Sequence, residues 1–205
     1  MSARTRTVDD QEILMAAHHA VTRLGPARFT LADVAEEVGL APATLVQRFG
    51  SKRGLLLAMV KMGGEMADAC FAAVREAHPS PLDALTAAAT DMTRYVQTPE
   101  ELANALAFLQ MDVSDPEFHA LAVKNSRRAL EGFRELIDEA VADGELIPCD
   151  TARLARAVAA MSGGSLIAWA IHREGTAEEW VRDDFATLLG PYRPQTDRSE
   201  DRATA

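Results

Sequence analysis

Apolar residues recur three and four positions apart along almost the whole chain, and that spacing commits it to helices. Ile13, Ala16, Ala17, Ala20, Val21 and Leu24 make one such stripe. Strand-like β-branched alternation is scarce, whereas Ala, Leu, Met, Glu and Arg, all good helix formers, dominate. Local punctuation cuts the chain into about nine helical segments. Gly25-Pro26 ends the first. Thr30, with Asp33 three residues on, caps a short one from Leu31 to about Val38, which Gly39 breaks. Pro42 suits the first turn of a third, to about Phe49, and Ser51 caps a longer fourth from Lys52 to about Ala77. Ser80-Pro81 with Asp83 opens a helix to about Val96, and Thr98-Pro99 with Glu101 opens one to about Met111. Ser114-Asp115-Pro116-Glu117 starts a long helix that Asp143-Gly144 closes after Ala142. Asp150 caps the next, to about His172 with Gly175 beyond it. Thr176 and Glu179 open the last, which ends at Gly190-Pro191.

The 205 residues carry 21 Lys and Arg against 31 Asp and Glu, a net charge of −10. That balance excludes a uniformly basic nucleic-acid coat, but binding follows the local field. Residues 1–55 hold seven basic and six acidic side chains, a net of +1, and the remainder carries −11. Only the first 55 residues suit a polyanion. Cys70 and Cys149 lie far apart and outside any CxxC, so they read as small buried hydrophobes in a reducing compartment. Met1 to Glu12 is polar and shows no secretory core. The stretch Ala157 to Ile171 falls short of the roughly 18–20 apolar residues of a membrane span. A cytoplasmic protein without a membrane partner is expected.

The strongest motif lies between Thr30 and Lys52. Two short helices meet at a tight turn around Gly39-Leu40-Ala41, where Gly39 suits a positive φ. Val34, Ala35 and Val38 can bury one face of the first helix, and Leu45 and Phe49 one face of the second. Small Ala35 lets the axes approach. This is the pattern of a helix-turn-helix, whose second helix enters the major groove of DNA.

Here the chain resembles the TetR family of bacterial transcriptional regulators. The match comprises a first helix, Thr30, Val34-Ala35, Gly39-Leu40, Ala43-Thr44-Leu45, Phe49, Ser51-Lys52 and Leu55-Leu56, about a quarter of the chain. The resemblance implies a helix-turn-helix DNA-binding domain at 1–55 and a helical ligand-binding and dimerisation domain at 56–190. Residues 191–205 are expected to be a disordered tail. It makes Pro42 to Phe49 the recognition helix, with Ala43, Thr44 and Gln47 facing double-stranded DNA. Gln47 can make a bidentate contact to adenine. Thr30, Thr44 and Lys52 are candidates for phosphate contacts, and Arg4 and Arg6 for an arm reaching backbone or minor groove. The chain departs from the family at three places. Val46 stands where an aromatic residue, typically Tyr, reaches a phosphate. Arg48 stands where His or Tyr is common and is a candidate for the missing phosphate contact. Ala41 replaces the usual Ser cap, and a missing cap costs about 1 kcal/mol.

One helix-turn-helix reads few bases, so a homodimer on a palindromic operator is expected. Leu154, Val158, Leu166 and Trp169, with Trp180, Phe185 and Leu188 on the last helix, are the candidate dimer surface. By the resemblance, the middle helices enclose a cavity for a small-molecule effector. Met62, Met66, Phe71, Met92, Tyr95, Phe108, Met111, Phe118 and Met161 are its candidate lining, although an apolar stripe at helical spacing also describes plain core. Ligand binding then tilts the fourth helix and changes the spacing of the recognition helices, most commonly relieving repression. Gly63-Gly64 in that helix reads equally as a bend or as a close-packing site. No di-iron ExxH pair, HExxH, GxSxG or phosphate-cradling glycine loop occurs, and His18-His19 face different directions, so neither catalysis, a metal nor a cofactor is expected. The alternatives are a regulator without a small-molecule ligand, and a helical enzyme or interaction module that does not bind DNA.

Overall fold

The structure is a computed structural model that describes residues 8–195. Its described residues form nine α-helices and no strand. They are α1 (Asp10–Leu24), α2 (Leu31–Glu37), α3 (Pro42–Phe49), α4 (Lys52–Ala77), α5 (Pro81–Thr90), α6 (Pro99–Ser114), α7 (Pro116–Ala142), α8 (Thr151–His172) and α9 (Ala177–Leu189). The starts follow the sequence punctuation. Thr30–Asp33, Thr98–Glu101 and Thr176–Glu179 form reciprocal capping boxes. Ser80 accepts from the Asp83 N–H without the reciprocal bond. Ala41, a methyl, gives α3 no side-chain cap.

Three details differ from the sequence reading. The fifth helix stops at Thr90, and Asp91–Tyr95 continue as a 3-10 turn. The hydroxyls of Thr86, Thr90 and Thr93 each donate to a carbonyl three or four residues back, which competes with the regular ladder. α8 ends with Arg173 itself in the left-handed region, at φ 58°. The expected tail loses its first residues to the fold: Pro191 and Tyr192 sit in a 3-10 turn, and the Ile147 N–H donates to the Tyr192 carbonyl at 2.8 Å.

The core has three parts. Ile13, Ala17, Ala20, Val34, Leu45 and Leu55 from α1–α4 pack together, and Phe118 of α7 joins them. Leu85, Leu136, Ile137, Val158 and Phe185 centre a second cluster, and Leu102, Leu166, Trp169 and Val181 a third. α8 is 22 residues long with a mean hydropathy of 1.4, enough by length and composition to cross a membrane. The sequence reading places this stretch below that threshold. In the fold it packs against α7 and α9.

α4 and α7 run parallel and are fastened along their length. At the start, the Arg53 guanidinium donates to both Asp115 oxygens, at 2.8 and 3.0 Å, and to Glu117 at 2.9 Å, and it lies 5.0 Å from the centre of the Phe118 ring. In the middle, Asn125 Nδ2 donates to the Val60 carbonyl at 2.7 Å. A Cβ on Gly64 would fall 2.2 Å from Asn125 Oδ1. Further on, a Cβ on Gly132 would fall 2.4 Å from the Phe71 ring, itself stacked edge-on with Phe133 at 5.1 Å. At the end, Arg75 bridges Glu135 and Glu139. Gly64 is thus a close-packing position, while Gly63 beside it has nothing within 4 Å. α6 adds a tie to α1: Asn104 Nδ2 donates to the last carbonyls of that helix, Thr22 and Arg23, at 2.8 and 3.1 Å.

The seam makes its glycines and its first ion pair testable. Gly132→Ala is expected to destabilise the protein by about 1–3 kcal/mol, because the ring it strikes is boxed in. Gly63→Ala is expected to be neutral or to stabilise by up to ~1 kcal/mol through helix propensity. Urea unfolding of both variants is the check. A second prediction concerns Asp115, whose carboxyl is held down at about 2, first by the Arg53 hydrogen bond. Its folded value lies below the ordinary 3.8, so the clamp's contribution is complete above about pH 4 and is lost as pH falls towards 2. Asp115→Asn should flatten that part of a melting-temperature profile. An unchanged acid limb would mean that the clamp contributes nothing.

Candidate nucleic-acid interface and effector cavity

The α2–α3 turn forms as its residues dictate. Gly39 takes φ 70°, and the Leu40 N–H donates back to the Ala35 carbonyl at 2.8 Å. Leu45, fully buried, anchors α3 to the core and turns the opposite face outward. Ala43 and Gln47 are exposed on that face and Thr44 is half-buried. Val46 is 48% exposed, an apolar surface on a helix whose neighbouring positions are small or polar. The sequence reading passes over Val46 because it lacks a hydrogen bond; its exposure is set by Leu45 facing inward.

Behind α3 stands a compact polar group. Thr30 Oγ1 donates to Asp33 Oδ2 at 2.8 Å, and the Thr30 N–H donates to the same oxygen at 2.6 Å. Those bonds hold the Asp33 carboxyl below its usual range. Lys52 Nζ donates to the Phe29 carbonyl at 2.6 Å and the Ala27 carbonyl at 3.2 Å, and sits 4.3 Å from the centre of the Phe29 ring. Burial pushes its ammonium down and Asp33 pushes it back up. An ammonium has three donors, so one remains after these two bonds. Thr30 is accordingly a cap of α2 first, and Lys52 a lysine held in place with a free proton.

Arg48 is placed otherwise than the sequence suggests. Its guanidinium donates to the Val8 carbonyl at 2.8 Å and to Asp10 at 3.2 Å, and thereby fastens the entry to α1. A guanidinium so engaged is a poor replacement for the missing phosphate contact. Arg4 and Arg6 lie outside the described residues.

Of the nine residues proposed to line a cavity, three do so. Met62, Met66 and Tyr95 border a space of about 210 Å³ between α1, α4 and the 3-10 turn. Phe118 is fully buried among the α1–α4 core, with Phe108 edge-on to it at 6.0 Å and Met111 packed against the same cluster. Phe71 and Met161 belong to the second core cluster. Met92 lies in the 3-10 turn, where only its backbone is described. Periodicity marks a buried face and is silent on whether that face meets protein or space, which is why core residues enter the list. The polar members of the cavity escape it: His18, Cys70, Asp91 and Arg94 also border the space. His18 stacks edge-on with Tyr95 at 5.1 Å, and its Nδ1 is buried without a hydrogen-bond partner. Burial, and then His19, hold its pKa below the ordinary value, so the ring is neutral near pH 7. Arg94 pairs with Asp91 at 3.1 Å and lies 4.7 Å from the centre of the Tyr95 ring. Among the described residues, no group of three or more His, Cys, Asp or Glu is placed to hold a metal.

The candidate dimer residues also need correction. Leu154, Val158, Leu166, Trp169 and Phe185 are at most 6% exposed and complete the protein's own core. Trp180 and Leu188 are half-buried; the Trp180 ring stacks on His172 at 5.2 Å. The outward face of α8 is instead Ala160, Gly164, Ile167 and Ile171, with the two Ile 41% and 73% exposed. The stripe is right in period and wrong in phase, because both faces of this helix are apolar.

Comparisons with known proteins agree with this architecture. The family model described as bacterial regulatory proteins, tetR family, matches residues 13–59. The one described as BetI-type transcriptional repressor, C-terminal, matches residues 81–190, over half of the chain. No curated protein sequence matches it. Among solved structures, PfmR, a TetR family transcriptional regulator from Thermus thermophilus, is 26% identical, with a TM-score of 0.60 over 89% of this chain and 96% of its own. A candidate transcriptional regulator from Saccharomonospora viridis in complex with choline has a TM-score of 0.72 at 18% identity, over 91% and 98%. The regulator FadR from Bacillus subtilis, in complex with stearoyl-CoA, has a TM-score of 0.63 at 14% identity, over 88% and 98%. Regulators of this kind bind DNA and small molecules, usually as dimers, and are in general not enzymes. The helix-turn-helix, the helical body and both family matches lead to one conclusion: the chain belongs to the TetR family of bacterial transcriptional regulators.

Proposed function

We propose that this regulator is a cytoplasmic repressor, binds a palindromic operator as a homodimer, and is released by a small molecule. Residues 1–55 serve as the DNA-binding domain and residues 56–190 as the ligand-binding and dimerisation domain. The observation that carries the reading is α3: Leu45 pins it inward while Ala43, Val46 and Gln47 are left bare. Gln47 reads an adenine edge, and Val46 and Ala43 lie against thymine methyls. Thr44 and the free proton of Lys52 take phosphates. The neighbours bound to stearoyl-CoA and choline support an effector-responsive body, as does the cavity bordered by α1 and α4. The exposed α8 stripe supports dimerisation through that helix, since Ala160 and Gly164 allow a second helix to come close.

Selection from genomic DNA fragments at two salt concentrations tests the core of this reading. A palindrome should be enriched, with affinity falling as salt rises. Gln47→Ala should cost about 1–3 kcal/mol and relax preference at one base position in each half-site. Lys52→Ala should weaken binding to all sequences and lower the salt slope by about 1 per half-site. Arg48→Ala, by contrast, should leave the salt slope unchanged and lower the melting temperature, because its partners are Val8 and Asp10. A folded protein that enriches no sequence would sink the assignment.

The dimer is tested separately. Ile171→Glu should convert the protein to a monomer in light scattering and abolish operator binding while its helicity is kept. A dimer that survives the change would move the interface off α8.

A further inference from the structure

The space between α1, α4 and the 3-10 turn has a definite chemistry. One wall is thioether and ring: Met62, Met66 and the edge-on pair of His18 and Tyr95. Thioethers and ring edges suit a flat aromatic guest. Its volume, about 210 Å³, lies below the ~300 Å³ at which sites for drug-sized ligands begin, so the guest is a single ring.

The charges around the space are already balanced. Arg94 is paired with Asp91 and covers the Tyr95 ring, the place a cationic guest would want. Asp91 also hydrogen-bonds the Cys70 thiol, which burial first and Asp91 second push up to about 11, so the thiol stays protonated. An anion or a cation would have to break the pair. The one unsatisfied polar atom bordering the space is His18 Nδ1. A neutral imidazole makes Nδ1 a donor in one tautomer and an acceptor in the other, and a hydroxyl answers both.

From the cavity size, the Met and ring walls, the closed Asp91–Arg94 pair and the unpartnered His18 Nδ1, we infer that this space binds a small neutral phenol, its hydroxyl on His18. The inference rests on the effector-responsive reading above and names the ligand class. His18 lies on α1 and the Met residues on α4, the two helices that flank α2 and α3 in sequence and hold them in the core. A ring wedged there changes the angle between them, so phenol binding and operator binding are linked.

Phenol itself is the probe, with toluene, benzoate and choline beside it, titrated calorimetrically into the full chain at pH 7. Phenol should bind at least tenfold tighter than each of the three. His18→Phe, which keeps a ring and removes both nitrogens, should lose at least tenfold for phenol and leave toluene unchanged. In the unaltered protein, phenol should shift the imidazole resonances of His18 more than those of the other four histidines, a readout that does not depend on the variant folding. Phenol should also lower operator affinity. Binding no better than toluene, a preference for benzoate or choline, or an unmoved His18 resonance would overturn the proposal. Release of the operator by a different compound, with no phenol binding, would overturn it too and leave the regulator reading intact. Phenol binding through His18 without any operator would do the reverse.

Discussion

The parallel seam between α4 and α7 is the constraint on which the rest of the molecule depends. α4 begins in the helix-turn-helix unit and ends deep in the body, so whatever fixes α4 fixes the position of α3. The seam uses a different device at each level: a forked guanidinium on two carboxylates at Arg53, missing side chains at Gly64 and Gly132, and a second forked pair at Arg75. The glycines set the spacing, since they bring the helix backbones to where any Cβ would collide. The ion pairs set the register, since each guanidinium reaches carboxylates on one turn of α7 only. Exposed ion pairs contribute little to stability singly. Placed at the two ends of a long close contact, they oppose sliding.

That arrangement bears on how a distant event reaches the DNA. A rigid α4 does not bend at its glycine pair; Gly64 is packed against Asn125, and Gly63 lies on open surface. Motion must therefore occur where α4 meets partners other than α7. Those are α1, α5 and the 3-10 turn, the elements around the small cavity. α1 is itself held by the Asn104 amide of α6 on its last carbonyls and by Arg48 at its entry. A guest beside His18 pushes on the junction of these restraints, with α4 and α7 moving as one piece.

Much of the site was legible in the sequence, and the misses have a common cause. Leu45, Gly39 and Ala41 behave as their side chains dictate, and the face of α3 that carries Ala43 and Gln47 follows from three consecutive local facts. Lys52 stands where the motif puts it. Arg48 is different, because a long cation goes to the nearest acceptor in space, and Val8 and Asp10 are some 40 residues away in sequence. The cavity shows the same limit. Met62, Met66 and Tyr95 are visible as apolar positions, but so are Phe71 and Phe118, and only packing decides which of them meets a neighbour and which meets space. His18 draws notice as half of a histidine pair, yet what distinguishes it is an absent partner.

By itself, the sequence determined the helices, their caps, the helix-turn-helix and the sign of the field at each end of the chain. These depend on interactions within a few residues: apolar spacing of three and four, side-chain oxygens on the first N–H groups, a glycine at positive φ, and summed charge. Tertiary structure alone decided which face of α8 points outward, which methionines border a cavity, where Arg48 and Arg53 find their carboxylates, and that Gly132 is a contact point. Those outcomes depend on distances between residues about 40 to 65 positions apart. A period in one helix carries no information about the phase at which another will dock against it.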